Sequence, residues 1–305
     1  MREVRELLAA SASELFSRQC SSEVISGGYS EELWSTIERA GLTEGAELPE
    51  LAEVIRVAAH YAAPVPIAET WLAGRFLADA GLPVPAGPLT VARFTEGTAT
   101  AVPYARMARG IVAMVGDEVG LVDLGSARIE PAVNLAGEPR DTVVAHSVRG
   151  LSPCGSPFWV EGGYALLRSV QLAGTLERIL QLSVAHARDR IQFGQPLNRF
   201  QAVAHQLAEL AGEVAAARAA ADAAAEDPQT WRIAAAKVRS GEAAGRAATI
   251  AHQLHGAIGF TEEHPLHHFT LRLWAWRDEF GTETEWASVL GGLVQDGLWE
   301  TLTSE

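Results

Sequence analysis

The spacing of apolar positions divides the chain into three zones. Residues 1 to about 86 carry apolar side chains at helical intervals, interrupted by turn formers. Ser30-Glu31-Glu32-Leu33-Trp34 reads as an N-cap followed by an acidic first turn, and Gly41 closes the helix it starts. A second helix is predicted through LPELAEVIRVAAHYA and is broken at Pro64 and Pro66. A third opens at Ala68-Glu69-Thr70-Trp71 and stops near Gly81. Between 88 and about 150 the pattern changes to short runs rich in valine and isoleucine and bounded by glycine: PLTVARF, GIVAMVG, EVGLVDL and DTVVAHSVRG. They predict a small β domain with a hairpin turning at Gly116-Asp117-Glu118.

From about residue 159 helical spacing returns. YALLRSVQLAGTLERILQLSVAHARDR, QAVAHQLAELAGEVAAARAAADAAAE and TWRIAAAKVRSGEAAGRAATIAHQLHGAIG are long stretches of helix formers, the last two separated by Asp227-Pro228. A further helix follows Pro265. The expected architecture is mainly α with a small β domain: a helical domain over 1–87, a reduced β domain over 88–155 and a C-terminal four-helix bundle over 156–305.

Composition narrows the function classes. Apolar residues make up 48%, enough for a sizeable core, and the net charge of -14 argues against a nucleic-acid partner. A few local arginines remain able to hold an anionic ligand. Cys20 and Cys154 form neither a metal-type spacing nor a disulfide framework, so no metal site is expected. No apolar run approaches the roughly eighteen residues of a membrane span, and MREVRELLAASASELF does not read as a signal peptide. The cytoplasm is the expected compartment.

Two segments carry candidate chemistry. In Arg190-Ile-Gln-Phe193-Gly194-Gln195-Pro196-Leu197-Asn-Arg-Phe200-Gln201, an arginine stands beside a turn, where its guanidinium can pair bidentately with a phosphate. In Gln253-Leu254-His255-Gly256-Ala257-Ile258-Gly259-Phe260-Thr261, small residues at a helix end permit close backbone approach. Taken singly, the first reads as an ordinary helix connection, and His255 as a structural histidine.

Together the two segments resemble the acyl-CoA dehydrogenase family. The R-x-x-F-G-x-P-L-x-x-F-Q pattern, Ala236-Lys237, Q-L-H-G-x-x-G-F-T, a following P-L and a later G-T keep the family's order across about 160–290. EELW…GL and APVPIAETWLA fit in the N-terminal zone. The resemblance implies FAD-dependent α,β-desaturation of an acyl-CoA thioester, with electrons passed to an electron-transfer flavoprotein. It also implies an FAD shared across a subunit interface. By position it assigns Arg190, Phe193, Phe200, Gln201, Gln253, Leu254, Gly256 and Ala257 to the adenosine and pyrophosphate side of the cofactor, and Thr282 and Thr284 to cofactor-binding positions after the family's Glu-Gly. Ala257 stands where glycine is usual.

The sequence also departs from the family. The T-E-P-x-A/G-G-S-D loop that faces the flavin is replaced by Phe94-Thr95-Glu96-Gly97-Thr98, and no W-I-T/S-N strand is found. The catalytic glutamate of the family's Glu-Gly-Thr step falls on Phe280, inside WRDEFGTETEW, and the alternative position on an earlier helix falls on Tyr164. Neither supplies a carboxylate base, the group that suits abstraction of a weakly acidic α-proton. Glu279 and Glu161 are the candidates for a displaced base.

Three readings follow. In the first, the chain is the short subunit of an actinobacterial α2β2 enzyme. It lacks its own base and lends adenosine-side contacts to a full-length acyl-CoA dehydrogenase partner, with a bulky acyl group such as a steroid side-chain CoA ester as the substrate type. In the second it is a self-sufficient homotetramer with a displaced base. In the third it is a flavin-free structural homologue.

Overall fold

The computed structural model describes residues 2–42, 47–156 and 159–293, together with Gly297 and Glu300. Of the residues assigned above to the bundle, Pro157, Phe158 and most of those beyond 293 lie outside the described residues. The chain folds into two compact units. One comprises Met1–Phe16, Glu47–Ala62 and Ala165–Glu305; the other comprises Ser17–Ala46 and Ala63–Tyr164.

The N-terminal elements are α1 (Arg2–Gln19), α2 (Ser22–Ser26), α3 (Glu31–Arg39), α4 (Leu48–His60) and α5 (Ile67–Asp79). Ser30 caps α3 as its sequence predicts: its hydroxyl accepts the Leu33 N–H at 3.2 Å. The strands of the second unit are β1 (Leu89–Arg93), β2 (Thr98–Pro103), β3 (Gly110–Val115), β4 (Glu118–Val122), β5 (Arg128–Glu130), β6 (Arg140–Val144) and β7 (Val148–Pro153). They form a four-stranded sheet ordered β1-β3-β4-β7 and a three-stranded sheet ordered β2-β6-β5. The expected hairpin turns at Gly116-Asp117, between β3 and β4, with Val115 opposite Glu118.

DTVVAHSVRG, which reads as one strand, is two. β6 pairs with β2 and β5, whereas β7 pairs with β4, so the chain changes sheets at Ala145-His146-Ser147. Val143 is buried in a cluster with Ala92, Phe94, Ala99, Ile111 and Val122, drawn from both sheets. β3 is buried on both faces, because α5 packs against β1, β3 and β4. Thr70 on α5 fixes this contact by accepting the Leu89 N–H at 3.0 Å.

β1 passes into β2 through a tight turn. Glu96 and Gly97 both have positive φ, 50° and 76°, and Thr95 and Thr98 exchange two backbone hydrogen bonds of 3.0 Å. Left-handed geometry at both central residues matches the twist of the flanking strands and leaves no room for a longer excursion.

In the first unit α4 is joined by residues 165–189 of α6 (Val160–Asp189) and by α7 (Gln201–Glu226), α8 (Thr230–His255), α9 (Leu266–Asp278) and α10 (Glu283–Leu293). A short hairpin, β8 (Ile191–Gln192) with β9 (Gln195–Pro196), links α6 to α7. α8 packs along α7, α9 and α10. Half of its buried residues are alanine, which lets helix axes approach closely. Gly174 on α6 serves the same purpose: a Cβ there would lie 2.0 Å from the Arg56 carbonyl oxygen on α4. Arg56 is held across this contact by Glu177, 2.7 Å away, and along α4 by Glu53. Among the described residues no helix is long and apolar enough to cross a membrane.

Candidate functional site

The α6–α7 hairpin and the end of α8 flank an open cavity of about 390 Å³ within the first unit. It is lined by His186, Arg190, Gln192 and Leu197 on one side and by Gln253 to Ile258 on the other. Arg190, Gln253, Leu254, Gly256 and Ala257 are thus brought together from segments more than sixty positions apart. The local causes are plain. Arg190 follows α6 directly, and its N–H donates to the His186 carbonyl at 2.9 Å while its own carbonyl accepts the Leu197 N–H at 2.9 Å. Gly256 ends α8 at φ 60°, ψ -142°, a conformation open to glycine and costly for any other residue. Ala257 sits in the following 3₁₀ turn, Gly256–Phe260, without positive φ, so its methyl group adds no strain.

Phe193 and Gly194 form the hairpin tip with φ 50° and 81°. This leaves Phe193 91% exposed, with one edge-on aromatic neighbour, Phe200, at 6.1 Å. Neither ring lines the cavity. Gln201 is the first residue of α7, exposed, at a helix start that no side chain caps. Thr282 and Thr284 also stand apart from the cavity. Thr282 begins α10 in a reciprocal capping box: its N–H donates to Glu285 Oε2 at 2.7 Å and its hydroxyl accepts the Glu285 N–H at 3.3 Å. Thr284 is exposed one position into α10.

The position expected to carry a catalytic carboxylate holds a different arrangement. Phe280 has φ 56°, and its carbonyl accepts the Trp286 indole N–H at 2.9 Å. Beneath it lies Arg168, whose side chain is 1% exposed; its Nε donates to Glu279 Oε2 at 2.8 Å. The guanidinium sits 5.5 Å from the Phe280 ring centroid and 5.9 Å from that of Trp276. Lys237, fully buried and the only lysine in the chain, donates to the carbonyls of Trp276 and Arg277 at the end of α9. Burial, followed by the nearby Arg168 charge, lowers its pKa from 10.5 to about 8. Phe280 itself has no group that takes a proton, and Glu279 is engaged by Arg168.

The other candidates are similarly occupied. Glu161 pairs with Arg93 at 2.9 Å on a half-exposed surface. The Tyr164 hydroxyl is buried and donates to the Val91 carbonyl at 3.0 Å, pinning the start of α6 to β1.

Three histidines outside the predicted set, His186, His255 and His264, belong to the cavity region. His186 lines the cavity, and its ring stacks on that of His255 at 4.4 Å. His264 lies 4.7 Å from His255. The spacing of His186 and Arg190, four positions apart and so on one helix face, was the available signal for the first. The residues that line the cavity fit a group with an anionic part and a flat apolar part. Arg190 supplies charge, Gln192 and Gln253 supply amides, Leu197 and Ile258 supply apolar walls, and His255 Nε2 is buried without a hydrogen bond.

Residues 165–283 match a family described as acyl-CoA dehydrogenase, C-terminal domain. Acyl-CoA dehydrogenase IpdE2 of Mycolicibacterium smegmatis is 28% identical over 292 residues, covering 87% of this chain and 91% of that protein. IpdE2 of Mycobacterium tuberculosis is 42% identical over 103 residues, 34% of this chain and only 32% of that protein. Among solved structures, the ChsE4–ChsE5 complex from M. tuberculosis superposes with a TM-score of 0.86 at 23% identity, over 96% of this chain and 97% of that one. The Tcur3481–Tcur3483 steroid ACAD gives 0.85 at 22% identity, over 97% and 99%. At these identities the two structures speak for the fold.

Proposed function

From the match of residues 165–283 to the acyl-CoA dehydrogenase C-terminal domain and the likeness to IpdE2, we propose that the chain is the short subunit of a cytoplasmic heteromeric acyl-CoA dehydrogenase. In this reading it supplies adenosine and pyrophosphate contacts to an FAD whose flavin ring is held by a full-length partner. The pair assembles as an α2β2 tetramer, desaturates the Cα–Cβ bond of an acyl-CoA thioester and passes electrons to an electron-transfer flavoprotein. The observation that carries the reading is the cavity. It joins Arg190, Gln253, Gly256 and Ala257, the charge, amide and backbone access that a dinucleotide's pyrophosphate requires. The exposed Phe193 ring beside it offers a stacking face for an adenine.

FAD, when bound, supplies the two-electron acceptor for the oxidation. The chain's own residues bind and orient. Arg190 neutralises phosphate charge, Gln253 hydrogen-bonds, and the glycine at 256 lets the backbone come close. Two features support placing the base and the flavin ring on the partner. Phe280 covers the Arg168–Glu279 pair where a carboxylate would be needed. The Glu96-Gly97 turn closes β1 onto β2 where a flavin-facing loop would run. The likeness to a steroid ACAD and to the ChsE4–ChsE5 complex supports a bulky acyl group and a heteromeric assembly. The self-sufficient reading has less support, because Glu279 and Glu161 are both held in ion pairs.

The test is Arg190→Ala in the co-expressed complex. Loss of a charge-assisted hydrogen bond of about 1.5–3 kcal/mol lowers FAD affinity about ten- to a hundredfold. FAD retained with unchanged affinity would remove Arg190 from the site.

A further inference from the structure

Beside Arg190, three imidazoles from three elements converge: His186 on α6, His255 on α8 and His264 in the loop before α9. Their ring centroids lie 4.4 Å (186–255), 4.7 Å (255–264) and 6.4 Å (186–264) apart. His186 and His255 line the cavity itself. His255 is 5% exposed. Its Nδ1 lies 2.8 Å from the Ala251 carbonyl, an acceptor only, so Nδ1 carries the hydrogen and Nε2 is left as a buried lone pair without a hydrogen bond.

The charges around this cluster are few. α6 contributes Arg190 and Asp189, and Asp189 is exposed and paired with Arg188 at 2.8 Å. α8 contributes His252, and α9 contributes His267. Glu262 and Glu263, in the loop that carries His264, are exposed. Burial is the largest influence on all three rings and lowers each pKa, His264 to about 4; the neighbouring imidazoles lower those of His186 and His264 further. Against this, the carbonyls of Ala251 and Leu182 favour a protonated His255. The cluster is therefore neutral near pH 7, yet an added proton would find acceptors already in place.

We propose that the cavity is a proton-coupled anion site: a pyrophosphate diester seated beside Arg190 binds together with one proton, taken up by the His186–His255–His264 cluster. This rests on the reading of the cavity as the pyrophosphate side of a dinucleotide site. An anion in the cavity offsets the desolvation that keeps the rings neutral and stabilises one imidazolium. Repulsion between rings 4.4 Å apart holds the uptake to a single proton. Affinity is thereby linked to pH, binding being tighter as pH falls. The sign follows from linkage, since the bound state holds one proton more than the free state.

The test is calorimetric titration of the full chain with ADP-ribose, whose pyrophosphate diester does not titrate near neutrality. It is run between about pH 5.5 and 8, in buffers of different ionisation heat. The expected result is uptake of about one proton per ligand, with affinity rising by up to about tenfold per pH unit as pH is lowered. His255→Asn abolishes the uptake. His186→Asn, at a half-buried position that folding tolerates better, reduces it and flattens the pH dependence. ADP-ribose bound with pH-independent affinity and no proton uptake would overturn the inference while leaving the site reading in place. No binding at any pH, either to the chain alone or to its flavin-free complex with the full-length partner, would overturn both.

Discussion

Glu279→Gln separates a structural carboxylate from a catalytic one. Arg168 is withdrawn from water, with its side chain 1% exposed, and Glu279, 16% exposed, meets it at 2.8 Å. Lys237 lies buried in the same region, and its pKa is lowered in part by Arg168 and raised by Glu279. The substitution leaves two buried cations facing a neutral amide. Removing one partner of a buried pair costs about 3–5 kcal/mol, and partial exposure of Glu279 places the loss near 3. With a urea slope of about 3 kcal/mol/M for the helical unit, the unfolding midpoint falls by about 1 M. Intrinsic tryptophan fluorescence, to which Trp276 contributes from 5.9 Å beside the Arg168 guanidinium, provides the signal. Activity of the assembled enzyme, measured on material that remains folded, stays within about threefold of the parent. A midpoint moved by less than about 0.2 M together with loss of turnover would overturn the structural role and make Glu279 the base.

Three further outcomes follow from the same geometry. Lys237 holds its proton to about pH 8 when folded and to its ordinary 10.5 when unfolded, so the unfolded chain binds more protons between these values and stability rises with pH across that window, by an upper bound of about 3 kcal/mol; Lys237→Met removes the rise, and nitrogen NMR of the single lysine reports its titration directly. Gly174→Ala, which drives a methyl group into the Arg56 carbonyl, destabilises the chain by about 3 kcal/mol in the same urea assay. Phe280→Glu restores the carboxylate but leaves turnover of the chain alone at background, because on the proposed division of labour no flavin ring lies beside it; a gain of about a hundredfold or more would contradict that.

Much of the fold was legible locally. The Ser30 cap, the Gly116-Asp117 turn and the long alanine-rich helices are short-range signals that the structure reproduces. The sheet change at Ala145-His146-Ser147 was not legible, because an unbroken valine-rich run carries no mark of which partner each half will pair with. At the candidate site, the Arg190 and Gln253 segments were readable as motifs, and the cavity they share bears on their use. The buried Arg168–Glu279 pair was hidden for another reason. An arginine inside an apolar helix and a glutamate in an acidic stretch are each ordinary until the fold puts them 2.8 Å apart. The imidazole cluster spans residues 186 to 264 and depends wholly on tertiary packing. Thr282-x-x-Glu285 is a capping-box pattern, and the structure uses it as one.

Whether this chain completes a cofactor site whose flavin and base belong to another subunit is decided by flavin stoichiometry. It is measured by absorbance and native mass on the chain expressed alone and co-expressed with a full-length homologue. The expected result is no stoichiometric FAD and no turnover for the chain alone, and one FAD per heterodimer in an active α2β2 complex. One FAD per chain with acyl-CoA oxidation by this chain alone would contradict the proposal.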